Sequence, residues 1–479
     1  MNQLTYIFTQ ADEIMNKNMD NKIIEDASYK KDKYIFWKAV YALLILALSL
    51  LIAGILMQVV FHQTKAPLLL GLIVALPLAI PLELWNFTDP DTLFRVMAFQ
   101  DRFLMVCFGF AIGVGAILLY LVALFTHPNF GIKDFFVPGI VIGGLIFGAG
   151  VGLAGYFPGT IWIALGQGRR DAIYAALGGL LGAFSWSVIF GNVKWFFWDT
   201  LNFGPITWAS IFGITSKIGV FLVSLIFGTI LIAVFLLLPR YPKEKIKNSC
   251  GYHMLGKSKN KTTFDLVINE DFEKYPKANR YLTRLINESS IENARMTIPL
   301  GLAFTITAVA VIILHQIFGE STTFSWIGAQ LSYLVNPNWA ASNAYFQLFG
   351  GLHIVNGVPI NLPFSEIGWE PFTDLSSFLG GLIAATLISR RYMGFKPQVP
   401  KIWSRSHNPK YRPIGAFVGA FMVLFGARMA NGCASGHILS GDIQMAVSSF
   451  VFMMFVLLGA WIMLRYFMHM KINSWGYTK

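Results

Sequence analysis

The stretch FGARMANGCASGHILSGD, residues 425–442, sets an arginine, a cysteine, a histidine and four glycines between two apolar runs. Each of these residue types has a definite chemistry inside a membrane. An arginine within a span is costly unless it is paired or faces water, so the natural partner of Arg428 is an anion. The Cys433 thiol is a weak donor suited to a soft sulfur acceptor; with a base at hand it is also a nucleophile. His437 lies four residues on, within reach of Cys433 if the stretch is helical, and no acid to orient it stands nearby except Asp442. Gly432, Ser435 and Gly436 interrupt the helix, and non-helical backbone at membrane depth is tolerated only where it lines a polar cavity. Plainer roles exist for each: Arg428 as a structural ion pair or carbonyl cap, Cys433 as a small apolar filler, His437 as a satisfied buried histidine, and the glycines as close-packing positions.

The interruption occurs twice. GAGVGLAGYFPGTIWIALGQGRRDAIYAALGGLLGAFSW, residues 148–186, follows the same order of helix, glycine-containing break, short apolar stretch, second glycine turn and a further span, with Phe157 falling opposite Cys433. An odd number of spans between the breaks reverses their direction, so the first opens to the cytoplasm and the second outward. Paired broken helices in opposed halves are the sequence pointer to a substrate site in an inverted-repeat transporter. Freed N–H groups and helix N-termini then suit an anion. Gly155, Phe157, Pro158, Gly159 and Thr160 of the first break are assigned to the inner half of such a path.

The elements that must position these residues are membrane helices. The chain is 55% hydrophobic and 13% charged, with a positive mean hydropathy, which excludes an ordinary soluble core and predicts an all-α, polytopic membrane protein. Scanning for about 20 apolar residues gives about ten spans, near 34–62, 66–84, 103–125, 137–154, 172–190, 217–238, 296–318, 375–389, 413–430 and 446–467. The second carries Pro77 and Pro81, and the eighth is short. Every second loop is basic, whereas the stretch 319–373 holds no Lys or Arg, so both termini are expected on the cytoplasmic side. The net charge of +12 then faces anionic headgroups rather than nucleic acid. The expected layout is a cytoplasmic arm (1–33), a first membrane half with an extra first span (34–239), a cytoplasmic insert with one or two surface helices (240–295) and a second membrane half (296–479) that includes an external loop or interfacial lid (319–373). No cleavable signal peptide is expected. Cys107, Cys250 and Cys433 are too scattered for a disulfide framework or a metal site; Cys107 reads as packing.

GARMANGCASGHILSG resembles the signature of the YeeE/YedE family of sulfur transporters, whose best understood members take up thiosulfate and whose usual form is close to G-x-R-x-A-x-G-C-T-S-G-H-x-x-S-G. GLAGYFPGTIWIALGQG is similar to the family's first-repeat motif, usually G-x-C-P-G-T, and LELWNFTDPDTL resembles its early segment E-R-x-G-F-C-x-P. The resemblance implies an inner-membrane permease for a small sulfur-containing oxyanion, thiosulfate first. Arg428, Gly432, Cys433, Ser435, Gly436 and His437 then line the outer part of the path, with Glu83 and Thr88 in the early segment. It implies no cofactor and no metal. The partners would be the anion, the lipid bilayer and, as an open option, a cytoplasmic sulfur-carrier protein. Two of the family's cysteines are replaced, by Phe157 and Thr88, so thiol-to-sulfur passage by S–H hydrogen bonds retains only Cys433. Two alternatives stay open: a membrane sulfurtransferase using Cys433 with His437 as base, and a transporter of another sulfur or selenium species.

Overall fold

A computed structural model of the chain describes residues 2–63, 66–99, 103–237, 275, 277–287, 290–315, 317–365 and 367–470, side chains being described from residue 27 onward except at 103, 236–237, 286–287 and 290–295. Helices dominate, with one short antiparallel hairpin, β1 (Leu352–Val355) and β2 (Val358–Asn361). Among the described residues, nine helices are long and apolar enough to cross a membrane: Ala27–Val59, Leu104–Ala123, Val137–Gly166, Arg170–Asp199, Lys217–Phe235, Met296–Leu314, Glu370–Ile388, Pro409–Met429 and Val447–Phe467. The tenth expected span is a shorter apolar stretch, Leu68–Leu84, divided into a 3-10 turn and two helices. Pro77 and Pro81 lack the N–H groups that a continuous ladder needs.

The site is framed by α1 (Val137–Ala154), α2 (Pro158–Gly166), α3 (Arg170–Lys194), α4 (Thr322–Val335), α5 (Ala344–Phe349), α6 (Glu370–Ile383), α7 (Arg412–Met429) and α8 (Val447–Ile462). Glycine decides how they pack. Added β-carbons at Gly143 and Gly150 of α1 would strike the backbone of Gly426 and Gly419 on α7, so these two helices run antiparallel at backbone contact. Gly178 and Gly182 of α3 meet Phe417 and Phe421 of α7, and Gly148 and Gly459 join α1 to α8; both pairs run parallel. Exchanging α1 with α7 and α3 with α8 reproduces the same set of contacts. That is the relation expected of two halves inserted in opposite senses.

The polar N-terminal region continues into the first span as a single helix, Asn2–Val59. Within 240–295 the described part includes the helix Arg280–Asn287, whose buried Tyr281, Leu282 and Leu285 pack in the main core. Asp32 ties it down, accepting from the Arg280 backbone and pairing with Arg390. The remaining helix expected in this insert, and Cys250, lie outside the described residues. Cys107 is buried in the core, as packing requires. The stretch 319–373 is more than a surface connector: its two ends, Phe318–Ser325 and Trp369–Ser377, enter the protein interior beside the second break.

Candidate functional site

Both breaks turn through a left-handed residue placed just after a helix end, Gly155 (φ 71°) after α1 and Asn431 (φ 54°) after α7. At Gly155 no other residue fits, because a β-carbon there would sit 2.5 Å from Pro90. The chain then re-enters the protein, through α2 in the first break and through a π-helical turn, Ser435–Gly441, in the second.

In the second break Cys433 is buried, and its Sγ lies 3.0 Å from Ser435 Oγ. Arg428, at the end of α7, donates from Nε to Tyr345 Oη (2.6 Å) and from Nη1 to Ser321 Oγ (2.9 Å) and Thr322 Oγ1 (3.1 Å). Its plane lies against the rings of Tyr345 and Phe349. The buried Nη2 has no protein acceptor, and no carboxylate lies within ion-pairing distance of it among the described residues. Thr322 passes the contact on, hydrogen-bonding Glu370 through both its backbone and its hydroxyl. His437 is fully occupied: Nε2 faces the Ala430 carbonyl (2.9 Å) and so carries the proton, while Nδ1 accepts from Ser449 Oγ (3.2 Å). It therefore offers Cys433 no base, and the contact that a sulfurtransferase would need is not made. Some N–H groups are spent as well, since Gly432 donates to Ala427 and His437 to Cys433. Cationic side chains must then do more of any anion binding than the backbone does.

The first break is held differently. Arg412 donates to the Leu153 and Ala154 carbonyls that α1 leaves open, and it pairs with Asp171 at 2.7 Å. Asp171 also accepts from Tyr156 and pairs with Arg169, which pairs in turn with Asp89. The Thr160 hydroxyl accepts from Phe157 N and donates to Phe157 O, so it caps its own turn, and Pro158 takes the first helical position. Phe157 lies in an aromatic column, with ring centroids 5.6 Å from Phe87 and 5.8 Å from Phe147. Phe147 meets Phe452, which stacks on His437 at 4.6 Å. The two breaks are thus joined by rings. Glu83 and Thr88 belong to a separate cluster: Thr88 donates to Gln167, Gln167 and Ser389 donate to Glu83, and Arg391 grips the Glu83 and Leu84 carbonyls.

Several residues absent from the sequence reading complete the site. Lys133 lies in the loop before α1, and its carbonyl accepts from Ser448 while Gly131 is anchored by Gln444. Its side chain crosses the second break so closely that a β-carbon at Gly432 would lie 3.5 Å from Cε. Partial burial and the Arg428 charge push the Lys133 ammonium down to about 8, against the opposite pull of Glu370, Cys433 and Asp134. A depression of about 390 Å³ lined by Lys133, Asp134, Ile317 and Asn431, among others, leads to this point, which is small for an organic ligand but ample for an inorganic anion. Glu320 is the other addition. The Phe318 N–H bond to Ser440 positions it, its carboxylate lies on Gly159 of the first break, it accepts from Ser377 at 3.0 Å, and the Ser435 hydroxyl of the second break lies close enough to act on it. The only signal for these residues was their isolation: Lys133 a lone base in an outer loop, Glu320 an acid in a stretch with no cation.

Comparison with known proteins agrees with this architecture. The thiosulfate transporter TsuA of Spirochaeta thermophila is 24% identical to the chain over 407 residues, covering 82% of this chain and 97% of its own. The model of a family described as sulphur transport matches residues 90–462, a region that contains both breaks, and the chain belongs to that family, the YeeE/YedE sulfur transporters.

Proposed function

We propose that this protein is an inner-membrane permease that takes up thiosulfate, with both termini in the cytoplasm. The observation that carries the reading is the grouping at the second break. A thiol is hydrogen-bonded to a hydroxyl, beside an arginine with a donor to spare and a lysine laid across the glycines. Thiosulfate presents two kinds of acceptor, charged oxygens and a soft terminal sulfur, and the site holds a donor for each: Arg428 and Lys133 for the charge, Cys433 for the sulfur. In this mechanism the anion gathers in the depression at Lys133, loses water as it passes to Arg428 Nη2 and rests with its sulfur on Cys433. It crosses to the inner break by movement of the aromatic column at Phe157. The thiosulfate transporter relative supports the choice of substrate, and the alternation of basic loops supports the orientation.

The test is uptake of sulfur-35-labelled thiosulfate by proteoliposomes of the purified chain, with sulfate, sulfite and selenium analogues as competitors. Saturable uptake competed best by unlabelled thiosulfate is expected. Saturable uptake of sulfate that thiosulfate fails to inhibit would remove thiosulfate as the substrate.

A further inference from the structure

Uptake of a divalent anion into a cell with an inside-negative potential is opposed by a factor on the order of 10³ at 100 mV, so something positive has to travel with it. Arg428 stays charged throughout, and Lys133 is already mostly charged at pH 7, so neither adds a full positive charge as the anion binds. The interior next to the second break, however, holds carboxyls of a different character from those that steady the inner break, Glu320 and Asp374 among them.

Asp374, on α6, is 1% exposed, and neither of its carboxylate oxygens has a hydrogen-bond partner at normal distance, the Thr323 hydroxyl being a neighbouring donor. Glu320, 6% exposed, faces it closely enough for the two to interact electrostatically; it accepts a hydrogen bond from Ser377, and the Ser435 hydroxyl lies close enough to act on it. The charged and titratable groups around the pair are Glu370 on α6, Cys433 in the second break and, beyond Glu370, Arg428 and Lys133. Neither member forms an ion pair among the described residues, in contrast to Asp171, which is bound by Arg412 and Arg169. Asp171 is thereby committed to structure, whereas carboxyls without a cationic partner are not. Two interacting carboxyls bind protons as a pair. Their placement is equally specific. The Ser435 hydroxyl stands between Cys433 Sγ and the Glu320 carboxylate, and that carboxylate rests on Gly159 at the start of α2. Glu320 therefore touches both breaks.

We infer that Glu320 and Asp374 form the proton site of a proton–anion symport, joined to the anion site at Cys433 through the hydroxyl of Ser435. The inference rests on the permease reading above. Negative charge arriving at Cys433 lies one hydroxyl away from Glu320, so binding of the anion favours a proton on the carboxyl pair, and by reciprocity a proton on the pair favours the anion. Without a proton, the anion would sit beside an ionised carboxylate and be repelled. With one, anion and proton reach the inner break together, at Gly159. No bond is made or broken beyond the transfer of the proton, which enters from the outer aqueous side and leaves to the inner.

The experiment uses the full chain in proteoliposomes with the membrane potential clamped by potassium and valinomycin. With labelled thiosulfate and an outside pH about 1.5 units below the inside, wild type should accumulate thiosulfate at least tenfold above its level at equal pH, and an internal pH dye should acidify on thiosulfate addition. Glu320→Gln should lose both responses. Asp374→Asn provides the second test if Glu320→Gln fails to insert, and wild-type acidification is independent of both variants. Exchange by wild type with neither pH-driven accumulation nor acidification overturns the symport and leaves the permease standing, as does full pH drive in both variants. Absence of any thiosulfate exchange by wild type removes the permease reading, and the inference with it.

Discussion

Lys133 offers the sharpest test of the anion site, because its charge is set to change within an accessible pH range. Its ammonium is pushed down to about 8 by partial burial and by Arg428, so the site carries the lysine charge below that pH and loses it above. The sign follows directly: an anion prefers the charged form, and binding it raises the lysine's proton affinity. The ratio Vmax/KM should therefore be flat up to pH ~7 and fall with an inflection near 8, a loss of about tenfold between pH 7 and 9. The inflection in Vmax should lie higher. The floor of the fall is set by Coulomb's law: a unit charge about 5 Å from the anion contributes ~3 kcal/mol at an effective dielectric constant of 20, and less with water present. Lys133→Met should consequently lose roughly 10- to 200-fold in affinity and show no inflection near 8. Lys133→Arg should bind well and also lose the inflection, because a guanidinium stays charged beyond pH 12. The assay is equilibrium binding of labelled thiosulfate in detergent, together with exchange at equal internal and external pH, so that no proton gradient contributes. Persistence of the same inflection in Lys133→Arg would refute the argument, since the titrating group would then be elsewhere.

Arg428→Gln should keep the protein in the membrane yet raise KM for thiosulfate by about 10- to 100-fold, the worth of a charge-assisted hydrogen bond from Nη2; a normal KM, or loss of membrane insertion, would make Arg428 structural. Cys433→Ser should nearly abolish flux under matched expression, because a harder donor replaces the thiol, and wild-type flux in that variant would end the thiol-to-sulfur reading. Phe157→Cys removes a ring from the Phe87–Phe157–Phe147 column and should cost about 2–4 kcal/mol of stability in a thermal unfolding assay while keeping or raising thiosulfate uptake; a fall in flux would show that the ring itself is needed. Gly155→Ala, with φ 71° and a β-carbon 2.5 Å from Pro90, should lower the unfolding temperature and the yield of folded protein, by an amount equivalent to ~2 kcal/mol or more, and an unchanged melting temperature would contradict the turn geometry.

The parts of this protein legible in its sequence are those written locally. Apolar run length marks the spans, and the order of helix, glycine, short stretch and glycine marks both breaks, because a helix interrupted in a membrane leaves a gap in its own periodicity. Leu68–Leu84 misled for a local reason as well: its composition is that of a span, but prolines divide it. The residues that complete the site were illegible because they arrive from far away in the chain. Tyr345 lies 83 residues from Arg428, and Ser321 lies 107. Lys133 reaches Gly432 across some 300 positions, and Glu320 joins two breaks that have no sequence relation to it. Contacts of this kind leave no periodicity, and only the packing of distant elements brings them together.

Side-chain role is decided the same way, by the partner rather than by the residue. Arg169, Arg412 and Arg428 all stand at helix ends beside a break, and all three are buried. Arg412 and Arg169 are neutralised by Asp171 and Asp89, so removing either would unbalance a buried ion-pair cluster, and their work is to hold the inner break in shape. Arg428 is held in place by three hydroxyls and two rings, which fix its geometry without cancelling its charge. A carboxylate in the position of Ser321 or Thr322 would have satisfied the guanidinium and left nothing for an anion. Neutral anchors leave a fixed cation able to attract a passing ion and release it again, and they separate Arg428, the arginine proposed to meet substrate, from the two that steady the inner break.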